Sequence, residues 1–113
     1  MFFVGGAAAA GVGGYAYVNG ESKSTLSASL DKSWEAAQGA MQDLEFPVIN
    51  RQKDVLEAEL TARNASDKKI AIKLKKLSET ATEVRIRVGT FGDEPLSRLI
   101  LEKINKRLGE ENR

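Results

Sequence analysis

The chain has 113 residues, with 17 Lys plus Arg against 16 Asp plus Glu, and it contains neither cysteine nor histidine. That length fits one domain, and the near-neutral charge gives no electrostatic pull on DNA, RNA or an acidic substrate. Without cysteine and histidine, disulfides, thiolate nucleophiles and the side chain best suited to proton transfer near neutral pH are all missing. Structural zinc, haem and Ser-His-Asp chemistry are thereby excluded or handicapped.

Every charged residue lies at or after Glu21, so residues 1–20 form a separate compositional block. Met1 to Asn19 is small or apolar throughout. As a helix, eighteen residues would span ~27 Å, close to the hydrocarbon thickness of a bilayer. Gly6, Ala10 and Gly14 would then make a stripe suited to close helix packing. Each interior glycine opposes that helix by ~1 kcal/mol relative to alanine, and a secretory signal would need a basic flank that is missing. The open readings are the trimmed end of a signal, a flexible spacer behind an anchor, a weak membrane helix, or a soluble strand or tail.

Asn19-Gly20 is the dipeptide that closes hairpins. Glu21 to Ser29 alternates Leu26 and Ala28 against serines and reads as a strand. Ser29 or Asp31 caps a helix running to about Leu44, with Trp34, Ala37, Met41 and Leu44 on one face and Gly39 on the other. Phe46-Pro47 stops it, because proline pushes its predecessor out of the helical region. Trp34 reads as a core anchor before it reads as a stacking platform for a ligand.

Strands follow. Pro47 to Gln52 is an edge strand, and Lys53-Asp54 turns the chain. From Val55, Leu56, Ala58, Leu60 and Ala62 point inward, with Glu57, Glu59, Thr61 and Arg63 outward. After the Asn64–Asp67 turn, Ile70, Ile72 and Leu74 point in and Lys73 and Lys75 out. Past the turn at 78–81, Val84, Ile86 and Val88 point in against Glu83, Arg85 and Arg87. Inward residues must face inward residues, since a slip of one flips the whole strand. Leu60 therefore pairs with Ile72 and Ala58 with Leu74, which sets Glu59 opposite Lys73 and Glu57 opposite Lys75 on a charge-paired, solvated face. Gly89 and Gly92 bracket Thr90-Phe91. Asp93 caps the last helix with Pro95 in its first turn. Leu96, Leu99, Ile100, Ile104 and Leu108 form its buried stripe, and Gly109 ends it before a frayed 110–113.

The predicted fold is α+β: an antiparallel sheet of four to five strands with two helices packed on one face, in the order β-α-β-β-β-β-α. Its domain is 21–109. The predicted core comprises Leu26, Ala28, Trp34, Ala37, Met41, Leu44, Val48, Leu56, Ala58, Leu60, Ile70, Ile72, Leu74, Val84, Ile86, Val88, Phe91, Leu96, Leu99, Ile100 and Ile104.

Three stretches could carry chemistry. Lys68 to Lys76 is basic, but a sheet that binds RNA would add exposed aromatics, and the outward neighbours here are Glu57, Glu59 and Glu83. Gly89 to Glu94 precedes a helix N-terminus, where glycines can cradle phosphate. Its spacing matches no phosphate fingerprint, Asp93 and Glu94 would repel an anion, and a metal there would need further oxygen ligands. The structural reading is that Phe91 plugs the end of the core. Glu57 and Glu59 share a face but lie opposite lysines, with no pocket implied for acid–base work. No catalytic, cofactor-binding or metal residue is assigned, and no cofactor is expected.

The strings A-Y-V-N-G-E, L-D-K-S-W-E-A, L-E-F-P-V, T-E-V-R-I-R-V-G-T-F-G-D-E and S-R-L-I-L-E-K-I resemble a family of small bacterial envelope lipoproteins known only as a domain of unknown function. The resemblance covers nearly all of the chain from Gly5 on. In arrangement alone, the chain is also similar to the helix-grip-like domains of the outer-membrane assembly lipoprotein BamC. The family likeness implies an exported protein on the periplasmic side of the envelope, lipidated on a cysteine just before the Gly/Ala spacer. This sequence departs from that pattern, having Met1 and no cysteine. The expected function is a non-catalytic module that touches an envelope protein or the cell wall and meets the membrane through its N-terminal region, with no nucleic-acid partner. The alternative is a carrier of a small apolar ligand, with a pocket beside Trp34 and Phe91.

Overall fold

The structure, a computed structural model, describes residues 12–111. Six strands and two helices follow one another as β1 (Val12–Val18), β2 (Glu21–Leu26), α1 (Leu30–Asp43), β3 (Val48–Lys53), β4 (Glu57–Arg63), β5 (Lys69–Ser78), β6 (Ala81–Val88) and α2 (Glu94–Glu111). The sheet is antiparallel throughout, in the order β1-β2-β6-β5-β4-β3. The α+β architecture is as predicted, with one strand beyond the expected four to five. That extra strand is β1, part of the Gly/Ala-rich block, so residues 12–18 are strand and not helix. Tyr15, Ala16, Tyr17 and Val18 alternate faces well enough to pair with β2, and the Asn19-Gly20 turn joins the two strands with both residues at positive φ. The readings of residues 1–11 lie outside the described residues.

The register argument holds. Leu60 faces Ile72, Ala58 faces Leu74, and Ile72 in turn faces Ile86. Leu60, Ile72 and Ile86 are fully buried under the helices, with α1 over β4 and β5 and α2 over β2 and β6. Both helices lie on that one face; the other carries charged residues of β2, β4, β5 and β6, such as Lys23, Glu59, Lys73 and Arg85, while Arg51 and Lys53 of β3 turn to α1 and meet Gln38 and Asp31. Glu59 does lie opposite Lys73 and Glu57 opposite Lys75, yet neither pair is among the ion pairs of the described residues. Long exposed side chains gain little by pairing in water. The contacts this face makes include Glu83 to Lys23 at 3.4 Å and to Arg85 at 3.1 Å, and Arg85 to Glu21 at 3.9 Å.

Helix α1 starts where Ser29 accepts the Lys32 N–H. It ends before Pro47 acts, in a Schellman motif: Phe46 N–H donates to Met41 O and Glu45 N–H to Gln42 O, with Glu45 at φ 61. Helix α2 is capped by Asp93, whose Oδ1 accepts the Leu96 N–H at 3.1 Å, and it continues through Gly109 to Glu111, past its predicted end.

Four placements differ from expectation. Leu56 is 60% exposed because Asp54 Oδ1 accepts the N–H groups of both Leu56 and Glu57, which keeps Leu56 in the turn and starts the strand at Glu57, two residues after Val55. Leu99 is 40% exposed. It sits about 100° round the helix from Ile100 and about 200° from Leu101, and Leu101 takes the buried place. Gly39 is buried against α2, with the Arg107 side chain lying over it while that guanidinium clasps Asp43 at 2.7 and 2.9 Å. Phe91, predicted as the plug of the core, is 93% exposed. Trp34, Leu44, Val48 and Leu96 are half-buried against the core, and the remaining predicted core residues are buried. Leu30, Ala36, Ala40 and Ala62 are buried as well, their small or short side chains letting α1 lie close.

Candidate functional site

The strand directions give the sheet two ends. One gathers the β3–β4 and β5–β6 turns and residue Val12, which pairs with Leu26. The other gathers the β1–β2 turn, the β4–β5 turn and the loop from β6 into α2. The three predicted stretches fall on this frame in different places.

Glu57 and Glu59 lie on the helix-free face, in a shallow groove of about 510 Å³ shared with Lys73, Lys75, Glu83 and Arg85. Burial opposes ionisation of Glu83, but hydrogen bonds from Arg85 and Lys23 outweigh it and hold the carboxyl below its ordinary value. Acids and bases alternate here, and the groove brings together no nucleophile with a base and an orienter. The lysines of 68–76 divide: Lys73 and Lys75 belong to this face, while Lys68 and Lys69 belong to the turn end.

Gly89 to Glu94 forms a braced loop. Gly92, at φ +87, packs against the Tyr17 hydroxyl and the Gly20 backbone, so that no side chain fits there. Arg87 donates to Asn19 O at 2.6 Å and to Thr90 O at 3.2 Å, tying the loop to the β1–β2 turn. Gly89 N–H donates to Lys69 O at 2.8 Å. Backbone and Tyr17 thus close this end of the sheet, and Phe91 is left exposed.

The carboxylates of this loop are already engaged. Asp93 caps α2 and meets Lys68 at 3.2 Å, and the Leu96 N–H followed by the lysine holds its carboxyl below the ordinary value. Glu94 accepts the Tyr15 hydroxyl at 3.1 Å and pairs with Arg98, whose guanidinium stacks 4.5 Å over the Tyr15 ring. Burial, then the Glu94 hydrogen bond, raises the Tyr15 phenol, which therefore stays protonated and pins β1 to α2. Among the described residues, no group of three or more His, Cys, Asp or Glu gathers as a metal site.

What sequence reasoning missed is apolar exposure. At the loop end Phe91 lines a groove of about 610 Å³, and Val18, at the end of β1, is 61% exposed. At the opposite end Val55, Leu56 and Leu77 are exposed on two neighbouring turns, where Lys76 N–H donates to Leu56 O. The glycines flanking Phe91 were the available signal, since two positive-φ residues around one aromatic mark a turn tip as readily as a plug. No helix among the described residues is long and apolar enough to cross a membrane. No curated protein matches the chain. A family model described as "Protein of unknown function (DUF3568)" matches residues 2–107, which is nearly the whole chain, and the protein belongs to that family.

Proposed function

We propose that this protein is a non-catalytic module of the bacterial envelope, held on the periplasmic side at a membrane through its N-terminal region. Its work is contact with another envelope protein or with the cell wall. The observation that carries the reading is the polarity of the fold. The uncharged block enters the sheet at Val12, at the end where Val55, Leu56 and Leu77 are exposed. Apolar side chains at a tethered end can rest in the headgroup region of a bilayer. The opposite end, away from the tether, carries Phe91 on a braced loop. The carboxylates Glu83, Asp93 and Glu94 are held in ion pairs and a helix cap, an arrangement that suits a binding module better than a catalyst.

The test is fractionation of the gene's full product in its own host, with protease added to intact and osmotically opened cells. Recovery with membranes, and digestion only after the outer barrier is opened, is the expected result. Recovery in the cytosol overturns the proposal. A second reading, a carrier of a small apolar ligand, draws on a groove of about 690 Å³ between α1 and β3, where Phe46 and Val48 are half-buried beside Met41; Trp34 and Phe91, beside which the pocket was expected, do not line it. Saturable quenching of Trp34 by a fatty acid, lost on Phe46→Asp, would favour it.

A further inference from the structure

We propose that the groove between the β4–β5 turn and Phe91 is a docking site for an acidic, extended segment of another protein, with Phe91 as its apolar anchor. The groove is concave, and Arg63, Lys68, Lys69 and Arg87 line it against a single carboxylate, Asp67. Asp67 pairs with Arg63 at 3.3 Å, and Lys68 turns to Asp93 at the rim. Arg87 donates to backbone carbonyls instead. Among the described residues, Lys69 and Arg87 thus have no carboxylate partner, and the cations outnumber the carboxylates by two even with Asp93 included. An acidic segment supplies what is missing.

Phe91 meets the other requirement of a binding anchor. It is 93% exposed, yet its backbone is held by Gly92 against Gly20, by Arg87 on Thr90 O and by Asp93 at the start of α2. An aromatic fixed before binding loses little freedom on contact, which is where interface energy concentrates. Val18, at the end of β1 and outside the groove's lining, is exposed as well. A flat anionic bilayer could receive Phe91 and Val18, but it would not follow a concave groove of about 610 Å³ lined by Ala71 and Gly89 as well as by the cations. A chain segment can.

The inference rests on the proposed module function only for which end faces away from the membrane. Its test uses the purified chain outside the cell, so the two can fail separately. A random twelve-residue peptide library displayed on phage is panned on the chain, with Phe91→Ala and Lys69→Glu variants as counter-targets. Both side chains are exposed, and circular dichroism checks that the variants keep the fold. Enriched peptides should carry two or more Asp or Glu beside an apolar residue. A synthetic copy should bind the chain at least tenfold more tightly than either variant, and weaken as salt rises from 50 to 300 mM. Failure to enrich, enrichment of neutral or basic peptides, or equal binding to the variants overturns the proposal. So does Phe91-dependent binding to phosphatidylglycerol vesicles without any peptide enrichment, which would assign the surface to a bilayer.

Discussion

Replacing Gly92 by alanine tests how the loop end is built. At φ +87 an alanine is strained by ~1–2 kcal/mol. Its Cβ would also meet the Tyr17 hydroxyl, with Gly20 Cα at 2.5 Å and Gly20 O at 2.6 Å. The Gly20 atoms are backbone in a turn held by the Arg87–Asn19 hydrogen bond, so they cannot rotate aside as a side-chain tip would. Forcing them apart adds ~1–3 kcal/mol, the usual range for overpacking. The expected loss is roughly 3 kcal/mol, or roughly 15 °C in Tm for a domain of this size. Urea unfolding followed by Trp34 fluorescence measures it directly. Phe91→Ala, one residue away, removes a far larger side chain but an exposed one, and should change stability by less than ~0.5 kcal/mol. If Gly92→Ala loses under ~1 kcal/mol, or Phe91→Ala loses as much as Gly92→Ala, the account of the braced loop is wrong.

Other outcomes follow from the same structure. Glu45→Gly should raise stability by ~1 kcal/mol in urea melts, since Glu45 occupies the left-handed position of the Schellman motif where glycine is unstrained; a loss would show that its side chain is needed. Ile72→Ala, at a fully buried position between Leu60 and Ile86, should lose ~2–5 kcal/mol, and a loss near zero would mean that the core is loosely packed. Stability should be level between about pH 5 and 8, because no histidine or cysteine titrates there. Below about pH 4 it should fall. Asp31, Asp54 and Asp93 are held under their ordinary value of 3.8, by Lys53, by the Leu56 and Glu57 N–H groups, and by the Leu96 N–H with Lys68 respectively. A carboxyl lowered in the folded state stabilises above its unfolded value, and that contribution disappears as pH drops through the folded one. A urea midpoint unchanged from pH 5 to pH 3 would contradict this.

Much of the sheet was legible because period-two alternation leaves one register in which buried faces buried, and Leu60–Ile72 and Ala58–Leu74 are those pairs. Asp93 was legible as a cap, and Ser29 as one of two candidates beside Asp31, for a chemical reason, a short side-chain oxygen placed just before an apolar run. Strand β1 was not, since glycine and alanine carry little strand preference and its pairing depends on β2. Gly39 was misplaced because a helical wheel knows one helix only, and its burial comes from Arg107 on the other. Phe91 was misplaced by hydrophobicity itself. Nothing local reveals that Tyr17 and the Gly20 backbone already occupy the end of the core. The candidate surface was therefore the least readable part, because it is defined by groups left uncovered once everything else has packed.

The pairing of β2 with β6 fixes an order of events during synthesis. Strands β3 to β6 can zip together as successive neighbours, but the first hairpin must wait for a partner far downstream: Asn19 and Arg87, which meet in the finished fold, lie 68 residues apart. Closing so long a loop is slow compared with local hairpins. Until it closes, β2 and β6 each keep a bare edge of unpaired N–H and C=O groups, and the half-built sheet stays open to pairing with another chain.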